Sequence, residues 1–128
     1  MSIPTSLISE LGNIFTKIKS YQVLATTTNN IPKSVFTINV ANNSNFVVEI
    51  TASGKSTSGA SGFYISQINR IINNANVVEI ISINNYINTS IPNVEISLTK
   101  IGNIVSIKLT GANVTNIDWT LFVNVIVA

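Results

Sequence analysis

Apolar and polar residues alternate along most of the chain from Tyr21 onwards, and Ile, Val and Thr dominate these stretches. Alternation of period two is typical of β-strands that bury one face, and β-branched residues favour the extended backbone. Clusters of Asn, Ser, Gly and Pro interrupt the pattern about every eight to twelve residues, which is typical of turns. The pattern predicts eight strands, at residues 21–27, 33–40, 46–52, 63–68, 77–83, 94–99, 103–110 and 117–127.

The last predicted strand, residues 117–127, is apolar on both faces. Trp119 and Leu121 alternate along one face, whereas Phe122 and Ile126 lie on the other. A strand that is apolar on both faces is expected to be covered on both sides. Because no helical pattern alternates with the strands, the fold class predicted is all-β, an antiparallel β-sandwich of the jelly-roll type.

The first 20 residues carry a different pattern, with apolar residues spaced alternately four and three apart. This spacing predicts a short amphipathic helix with one apolar stripe. The stripe consists of Leu7, Leu11, Ile14, Phe15 and Ile18. A helix this short is marginally stable alone, so the stripe is expected to pack, either against its own domain or as a docking or trimerisation helix. The predicted domains are therefore a helix at 1–20 and a sandwich at 21–128.

Three polar or glycine-rich segments interrupt the strand pattern. Residues 53–62 are rich in Gly and Ser, which predicts a loop, whereas residues 70–74 predict a turn and the Asn-rich residues 84–88 predict a break. Gly54, Lys55 and Ser56 match the end of a phosphate-binding loop, but Glu49 stands where that motif requires its first Gly. A phosphate-binding loop is therefore not predicted.

The composition argues against most metal sites and most catalytic mechanisms. Charged residues are 9% of the chain, against roughly 25% in a typical domain. Asn, Ser and Thr supply 19, 15 and 13 residues. With no His and no Cys, the chain lacks the usual ligands of zinc, copper and haem and the base of a Ser-His or Cys-His triad. We expect no cofactor and no metal.

An enzyme is not predicted, although five carboxylates are present. A two-carboxylate hydrolase would need Glu49, Glu79 and Glu95 to converge in one cleft. Calcium requires several carboxylates, and Asp118 with Asn113 and Asn116 nearby provides one.

The charge pattern does not suggest nucleic-acid binding. The formal net charge is +2, and the six Lys and single Arg are scattered along the chain. Nucleic-acid-binding proteins cluster such residues on one face. No apolar run approaches the 18 or so residues of a spanning helix, and no secretory signal is evident, so we expect no membrane insertion and synthesis in a cytoplasm.

The second half of the chain presents a recognisable order of motifs. Gly62-Phe63-Tyr64 is followed by the strand at 77–83 and by a hairpin that ends in Leu109-Thr110-Gly111. The chain closes on Asn116-Ile117-Asp118-Trp119 and an alternating apolar strand. Over roughly residues 46–128, this order resembles the C-terminal tip domains of bacteriophage fibre proteins. Those domains in turn resemble the trimeric jelly rolls of the tumour-necrosis-factor and C1q type.

The resemblance implies a virion structural protein, as a head or tail fibre or a capsid decoration, with three identical chains packed around an axis. It implies a capsid or tail protein as partner, and contact with polysaccharide of the host surface. Tyr64, Gly111 and Trp119 match the pattern and are implied to be framework residues. No receptor-binding residue can be transferred.

The low charge of the chain also favours self-association, because few charged side chains are present to keep sheet edges apart. A symmetric oligomer would in addition cover a strand that is apolar on both faces. The alternative is a carbohydrate-binding or adhesin module of a cellular protein that acts as a monomer. In that case Tyr21, Tyr64 and Tyr86 would line a sugar site, since tyrosine rings combine an apolar face with a polar tip.

Overall fold

The computed structural model describes residues 18–127, and all the regular structure in this range is β-strand. The strands are β1 (Ile18–Thr27), β2 (Lys33–Asn39), β3 (Ser44–Ser56), β4 (Gly62–Asn74), β5 (Val77–Thr89), β6 (Glu95–Ile101), β7 (Ile104–Thr110) and β8 (Ile117–Val127). The predicted all-β class with eight strands is confirmed. The predicted N-terminal helix lies outside the described residues, except that residues 18–20 begin β1.

The strands form two antiparallel sheets of unequal width. The larger sheet has the order β1-β8-β3-β4-β5, and the smaller has the order β2-β7-β6. An ideal jelly roll divides eight strands equally between two sheets. Here the β4–β5 hairpin pairs with β3 and widens one sheet at the expense of the other. The larger sheet therefore extends beyond the smaller one.

Three segments that the sequence predicts as interruptions are wholly or partly strand in the structure. Of the loop predicted at 53–62, only residues 57–61 leave the ladder between β3 and β4. The turn predicted at 70–74 continues β4, because Arg70 pairs with Val47 of β3 and the ladder satisfies the backbone groups. The break predicted at 84–88 lies inside β5, where a register shift next to Asn69 accommodates one extra residue. Tertiary pairing overrides local propensity at all three.

The core lies between the two sheets and is built from alternate residues of each strand. Its fully buried members include Trp119, Ile50, Ile65, Ile71, Ile107, Leu109, Ile117 and Leu121. Two buried amides of β4, supported by a third at Asn69 that donates to the Gln67 side chain at 2.9 Å, add hydrogen bonds to this apolar layer. Gln67 donates to the carbonyl oxygen of Ile96 in β6 at 3.0 Å, and Asn73 donates to that of Val40 at 2.9 Å. Buried amides require such partners, so these bonds help to fix one sheet against the other.

Trp119 organises one end of the core. Its indole ring packs against Phe63 with ring centroids 4.4 Å apart, and its Nε1 donates to the Thr27 hydroxyl at 2.9 Å. Two glycines make room for this cluster. A Cβ on Gly54 would overlap the Phe63 ring, and a Cβ on Gly111 would meet Thr27 and lie 2.8 Å from a backbone carbonyl oxygen.

The β4–β5 hairpin turns through Ala75 and Asn76, which have φ values of 52° and 62°. Two consecutive positive φ angles define a type I′ turn, whose twist matches that of the paired strands. Asn adopts this conformation readily, whereas Ala in the left-handed region costs roughly 1–2 kcal/mol. The β4–β5 hairpin is therefore closed by Asn76, which tolerates its conformation, and by Ala75, which is strained.

The Trp119–Thr27 hydrogen bond predicts that Thr27→Val destabilises the fold. Valine preserves the shape of threonine but leaves the buried indole N–H without an acceptor, so we expect a loss of about 1–3 kcal/mol in the free energy of unfolding. Thr26→Val is the matched control, because the exposed Thr26 hydroxyl meets the carboxylate of Asp118 in solvent. Urea unfolding followed by Trp119 fluorescence measures both, and equal losses would contradict the assignment.

The strained turn predicts that Ala75→Gly stabilises the protein. Glycine removes the left-handed penalty but has more backbone freedom to lose, so the expected net gain is up to about 1 kcal/mol. Ala60→Gly, in the exposed turn between β3 and β4 where Ala60 has no positive φ, is expected to lower stability. Thermal unfolding of the two variants gives the comparison, and a shift of the same sign in both would refute the prediction.

Candidate interaction surface

The two outer faces of the sandwich differ in chemistry. The outward residues of the smaller sheet, here called the narrow face, are mostly hydroxyl, amide and charged side chains. They are Ser34, Thr37, Asn39, Glu95, Ser97, Thr99, Ser106, Lys108 and Thr110, with Ile101 and Ile104 at one hairpin. A polar outer face opposite a buried inner face is the ordinary arrangement of an antiparallel sheet.

The outward residues of the larger sheet, here called the broad face, include many large apolar side chains. They are Ile18, Leu24, Val47, Tyr64, Ile68, Ile72, Ile81, Tyr86, Phe122 and Ile126. Leu24 is 72% exposed, and Phe122 and Tyr86 are about half exposed, at 51% and 52%. Each of these three has a polar neighbour on the adjacent strand, Thr120, Gln22 and Ser66 respectively, so the exposed apolar side chains stand among polar ones.

Strand register brings four of these residues into one row near one end of the broad face. One row across all five strands places Ile18 beside Ile126, followed by Val47, Arg70 and Ile81. Arg70 Nε donates to the side-chain amide oxygen of Asn45 at 3.2 Å, and this hydrogen bond holds the guanidinium group at this end of the face. The row is a nearly continuous apolar band with a single cation.

The C-terminal part of β5 projects beyond the smaller sheet. Residues 82–89 are all exposed, and their apolar side chains point to both sides of the strand. Ile83 is 57% exposed and Ile87 is 38% exposed. Within its sheet, β5 pairs with β4 alone. A long edge strand that is apolar on both sides is a ready site for association with another chain.

The three glutamates that an enzyme would require are separated in the structure. Glu49 and Glu79 lie on the broad face, with β4 between them and their partners Ile68 and Ile72 four residues apart. Glu95 lies on the narrow face, on the opposite side of the sandwich. Over residues 18–127, no three acidic residues cluster closely enough to hold a metal ion. The convergent cleft on which a two-carboxylate mechanism depends is not formed by these residues.

The residues implied as framework occupy different environments. Trp119 is buried, and Gly111 packs directly against Thr27 beside it. Tyr64 instead lies on the broad face at 45% exposure, with its ring centroid 6.3 Å from that of Tyr86. Tyr21 lies apart from this pair, against Phe36 at a ring distance of 4.9 Å.

The remaining candidates from the sequence fall outside any shared site. Four residues of the N-terminal stripe, from Leu7 to Phe15, lie outside the described residues, whereas Ile18 begins β1 on the broad face. The Asp118 carboxylate accepts a hydrogen bond from Thr26 at 3.1 Å and lies opposite Lys55 of β3. These are the ordinary contacts of an exposed residue with its neighbours on paired strands.

The sequence pattern does not predict most of the broad face. It predicts a turn at Ile72 and places Ile81 and Tyr86 in separate segments. The signal was present in residues 63–72, where Ile65 and Ile71 alternate with apolar residues of opposite parity. Apolar residues on both faces of a strand indicate cover on both sides, as in residues 117–127.

Across the described residues, no helix is long and apolar enough to cross a bilayer. The sequence matches no family model and no curated protein.

The chain matches three solved structures of bacteriophage tailspike proteins. The tailspike of Acinetobacter baumannii phage AM24 is 8% identical, with a TM-score of 0.52 over 91% of this chain and 27% of that one. The tailspike of Acinetobacter phage vB_ApiP_P1 is 14% identical, with a TM-score of 0.41 over 88% of this chain and 22% of that one. Tailspike gp49 of Acinetobacter baumannii bacteriophage Fri1, a capsular polysaccharide depolymerase, is 13% identical, with a TM-score of 0.39 over 100% and 24%. The chain spans about a quarter of the length of these proteins, and the first match shows a shared fold.

Proposed function

We propose that this chain is a structural module of a bacteriophage tail appendage, which assembles as a homotrimer through its broad face. The observation that carries the proposal is the contrast between a broad face that exposes large apolar side chains, such as Leu24 and Phe122, and a narrow face that is mostly polar. The fold shared with the AM24 tailspike supports the viral context. The proposed location is therefore the virion.

Three copies around an axis would cover the features that a monomer leaves exposed. Each broad face would turn towards the axis, so that Phe122 and the band containing Ile81 contact a neighbouring copy. The projecting end of β5, with Ile83 and Ile87, would pack against the next chain and lose its free edge. Burial of apolar area drives such association, and rotational symmetry closes it after a fixed number of copies.

The narrow face and the turns would then point outwards. Their hydroxyl and amide groups, such as those of Ser97, Thr99 and Ser106, are uncharged donors and acceptors that suit the hydroxyl groups of a polysaccharide. We propose host-surface polysaccharide as the external partner and a tail protein of the virion as the internal one. The module acts by binding and carries no catalytic residues of its own, a proposal that the separation of Glu49 and Glu95 supports.

Loss of trimerisation in Phe122→Ser tests the assembly. Light scattering of the purified chain is expected to give three times the 13.8 kDa chain mass. Truncating a central interface aromatic typically costs 2 kcal/mol or more, about 30-fold in affinity, so the variant is expected to dissociate at micromolar concentration. Ile104→Ser is the matched control, since Ile104 is 49% exposed on the narrow face. It is expected to leave the mass unchanged.

Two results would overturn the trimer. One is a monomeric wild-type chain across the micromolar range. The other is a trimer that Ile104→Ser disrupts and Phe122→Ser does not, because the interface would then be the narrow face. Circular dichroism of each variant checks that the fold is retained.

A monomeric carbohydrate-binding module is the second candidate, and the exposed tyrosine pair favours it. The rings of Tyr64 and Tyr86 lie next to each other on a polar part of the broad face, where Asn88 is opposite Tyr64 and Ser66 is opposite Tyr86. Aromatic faces flanked by amides and hydroxyls suit sugar rings. In the trimer the broad face is covered, so Tyr64 and Tyr86 would be buried between copies. In the monomeric module the same two rings would be exposed and would bind the sugar.

Polysaccharide binding by Tyr64→Ala/Tyr86→Ala separates the two candidates. The carbohydrate module predicts that a monomer binds capsular polysaccharide and that the double variant loses this binding at least tenfold, by calorimetry. The trimer proposal predicts that the double variant weakens assembly. Thr99→Ala, on the narrow face, is the control for both readouts. A monomeric wild type that binds through the tyrosines would replace the first proposal with the second.

A further inference from the structure

The longest connections between strands in the described chain lie together at one end of the sandwich. They are residues 28–32, 57–61, 90–94 and 111–116, and none of these residues is charged. The opposite end carries shorter connections, such as the turn at Ala75 and Asn76. Ile18, the first described residue, also lies at that opposite end, about 30 Å along β1 from Thr27.

Three of these connections surround a cavity of about 390 Å³, here called the loop-end cavity. Ser58 and Ser61 contribute to its lining from the β3–β4 turn, Asn93 from the β5–β6 connection, and Asn113 and Thr115 from the β7–β8 connection. The volume falls within the range of small-molecule pockets, about 300–1,000 Å³. All residues that line the cavity belong to the described part of the chain, and none of them is charged.

Backbone hydrogen bonds hold the walls of the loop-end cavity in place. Thr57 donates through its N–H to the carbonyl oxygen of Asn116 at 3.0 Å, which joins the β3–β4 turn to the β7–β8 connection. The Ser90 N–H donates to the carbonyl oxygen of Gly62 at 3.0 Å, and the Ser90 hydroxyl accepts from the Gly62 N–H at 3.0 Å. The β5–β6 connection is therefore attached to the start of β4. Walls that are already fixed lose less conformational entropy when a ligand binds.

A buried hydroxyl orients part of the polar lining. Ser56 is 6% exposed, and its Oγ accepts a hydrogen bond from the Ser61 N–H at 3.3 Å. The same Oγ lies 2.9 Å from the Oγ of the exposed Ser58, and either hydroxyl can donate. Because a hydroxyl has one donor and two acceptor positions, Ser58 keeps hydrogen-bonding capacity for a ligand.

The lining also has an apolar part. Ile91 is 4% exposed and Ala112 is 7% exposed, and both contact the cavity together with Pro92. Apolar side chains combined with a few hydroxyl and amide groups match a sugar ring, which carries C–H groups on its faces and hydroxyls at its edge. A carboxylate or phosphate would find no cation in this lining to offset its loss of water. The lining therefore favours a neutral sugar.

Backbone strain is concentrated at the rim of the cavity. Val114 has a φ of 54° and is 89% exposed, so burial of its side chain does not compensate for the strain. A β-branched residue is strongly disfavoured in this left-handed region. The two neighbours of Val114, Asn113 and Thr115, both line the cavity. Strain of this kind is often retained where a segment binds a ligand.

We propose that the loop-end cavity binds a neutral sugar residue of a polysaccharide. The Ser58 hydroxyl and the Asn113 amide bond the sugar hydroxyls, and the C–H groups of the ring pack against Ile91. This inference rests on the polysaccharide partner of the proposed function, to which it gives a site and a chemical class. Because connections between strands line the cavity, it stays accessible whether or not a second copy covers the broad face.

Glycan binding by Ser58→Ala/Asn113→Ala tests the site. The labelled full chain is applied to an array of neutral oligosaccharides, built from hexoses and N-acetylhexosamines, and of oligosaccharides that contain uronic acids. Calorimetry then measures the affinity for the tightest ligand. We expect that ligand to be neutral, and the double variant to bind it at least tenfold more weakly because two hydrogen bonds are lost.

Ser97→Ala/Thr99→Ala is the matched control, because it removes two hydroxyl groups from the narrow face. It is expected to bind the same ligand as tightly as the wild type. Circular dichroism of both double variants checks that the fold is retained.

The other outcomes separate this site from the proposed function. Loss of binding in Ser97→Ala/Thr99→Ala or in Tyr64→Ala/Tyr86→Ala, equal to or greater than the loss in the loop-end variant, would overturn the site and leave the polysaccharide partner standing. Binding of uronate-containing glycans alone would overturn the neutral class. Binding of no glycan would remove both the site and the polysaccharide partner, whereas the trimer would still be judged by its mass.

Discussion

The pairing of the β4–β5 hairpin with β3 is the constraint on which the rest of this structure depends. Because this hairpin extends the larger sheet instead of crossing to the other layer, the sandwich has five strands facing three. The three-stranded layer covers one side of the larger sheet, and nothing within the described chain covers the other. The asymmetry widens the outer face of the larger sheet and produces the projecting end of β5. The proposed assembly follows from this imbalance between the layers.

Two kinds of interaction hold the unequal layers together. At one end, Trp119 fills the interior beside Phe63 and Thr27 of its own sheet, and Gly111, which directly follows β7 of the smaller sheet, packs closely against Thr27. Along β4, buried amides bond to carbonyl groups of the opposite layer. The Asn73–Val40 bond lies at the opposite end of the sandwich from Trp119, near Tyr21 and Ser44. Contacts at both ends therefore fix the relative position of the sheets.

The low charge of the chain has a physical meaning in this geometry. Charged side chains on an exposed sheet normally oppose edge-to-edge and face-to-face contact. Here the broad face carries five charged side chains of both signs, Glu49, Lys55, Arg70, Glu79 and Asp118, so net repulsion between copies is weak. The abundant Asn, Ser and Thr supply polarity without charge on the narrow face and at the turns. A composition poor in charged residues and rich in uncharged polar ones is well suited to assembly.

The sequence by itself determined the all-β class, the number of strands and the alternation of inward and outward residues, because these depend on local periodicity and turn chemistry. It also determined the absence of His and Cys chemistry. Only the tertiary structure decided the lengths of β3, β4 and β5 and the sheet to which each strand belongs. Ladder pairing between distant segments overrode the local preferences of residues 70–74 and 84–88. The broad face arises from the lateral order of five strands, which no periodicity within a single strand encodes.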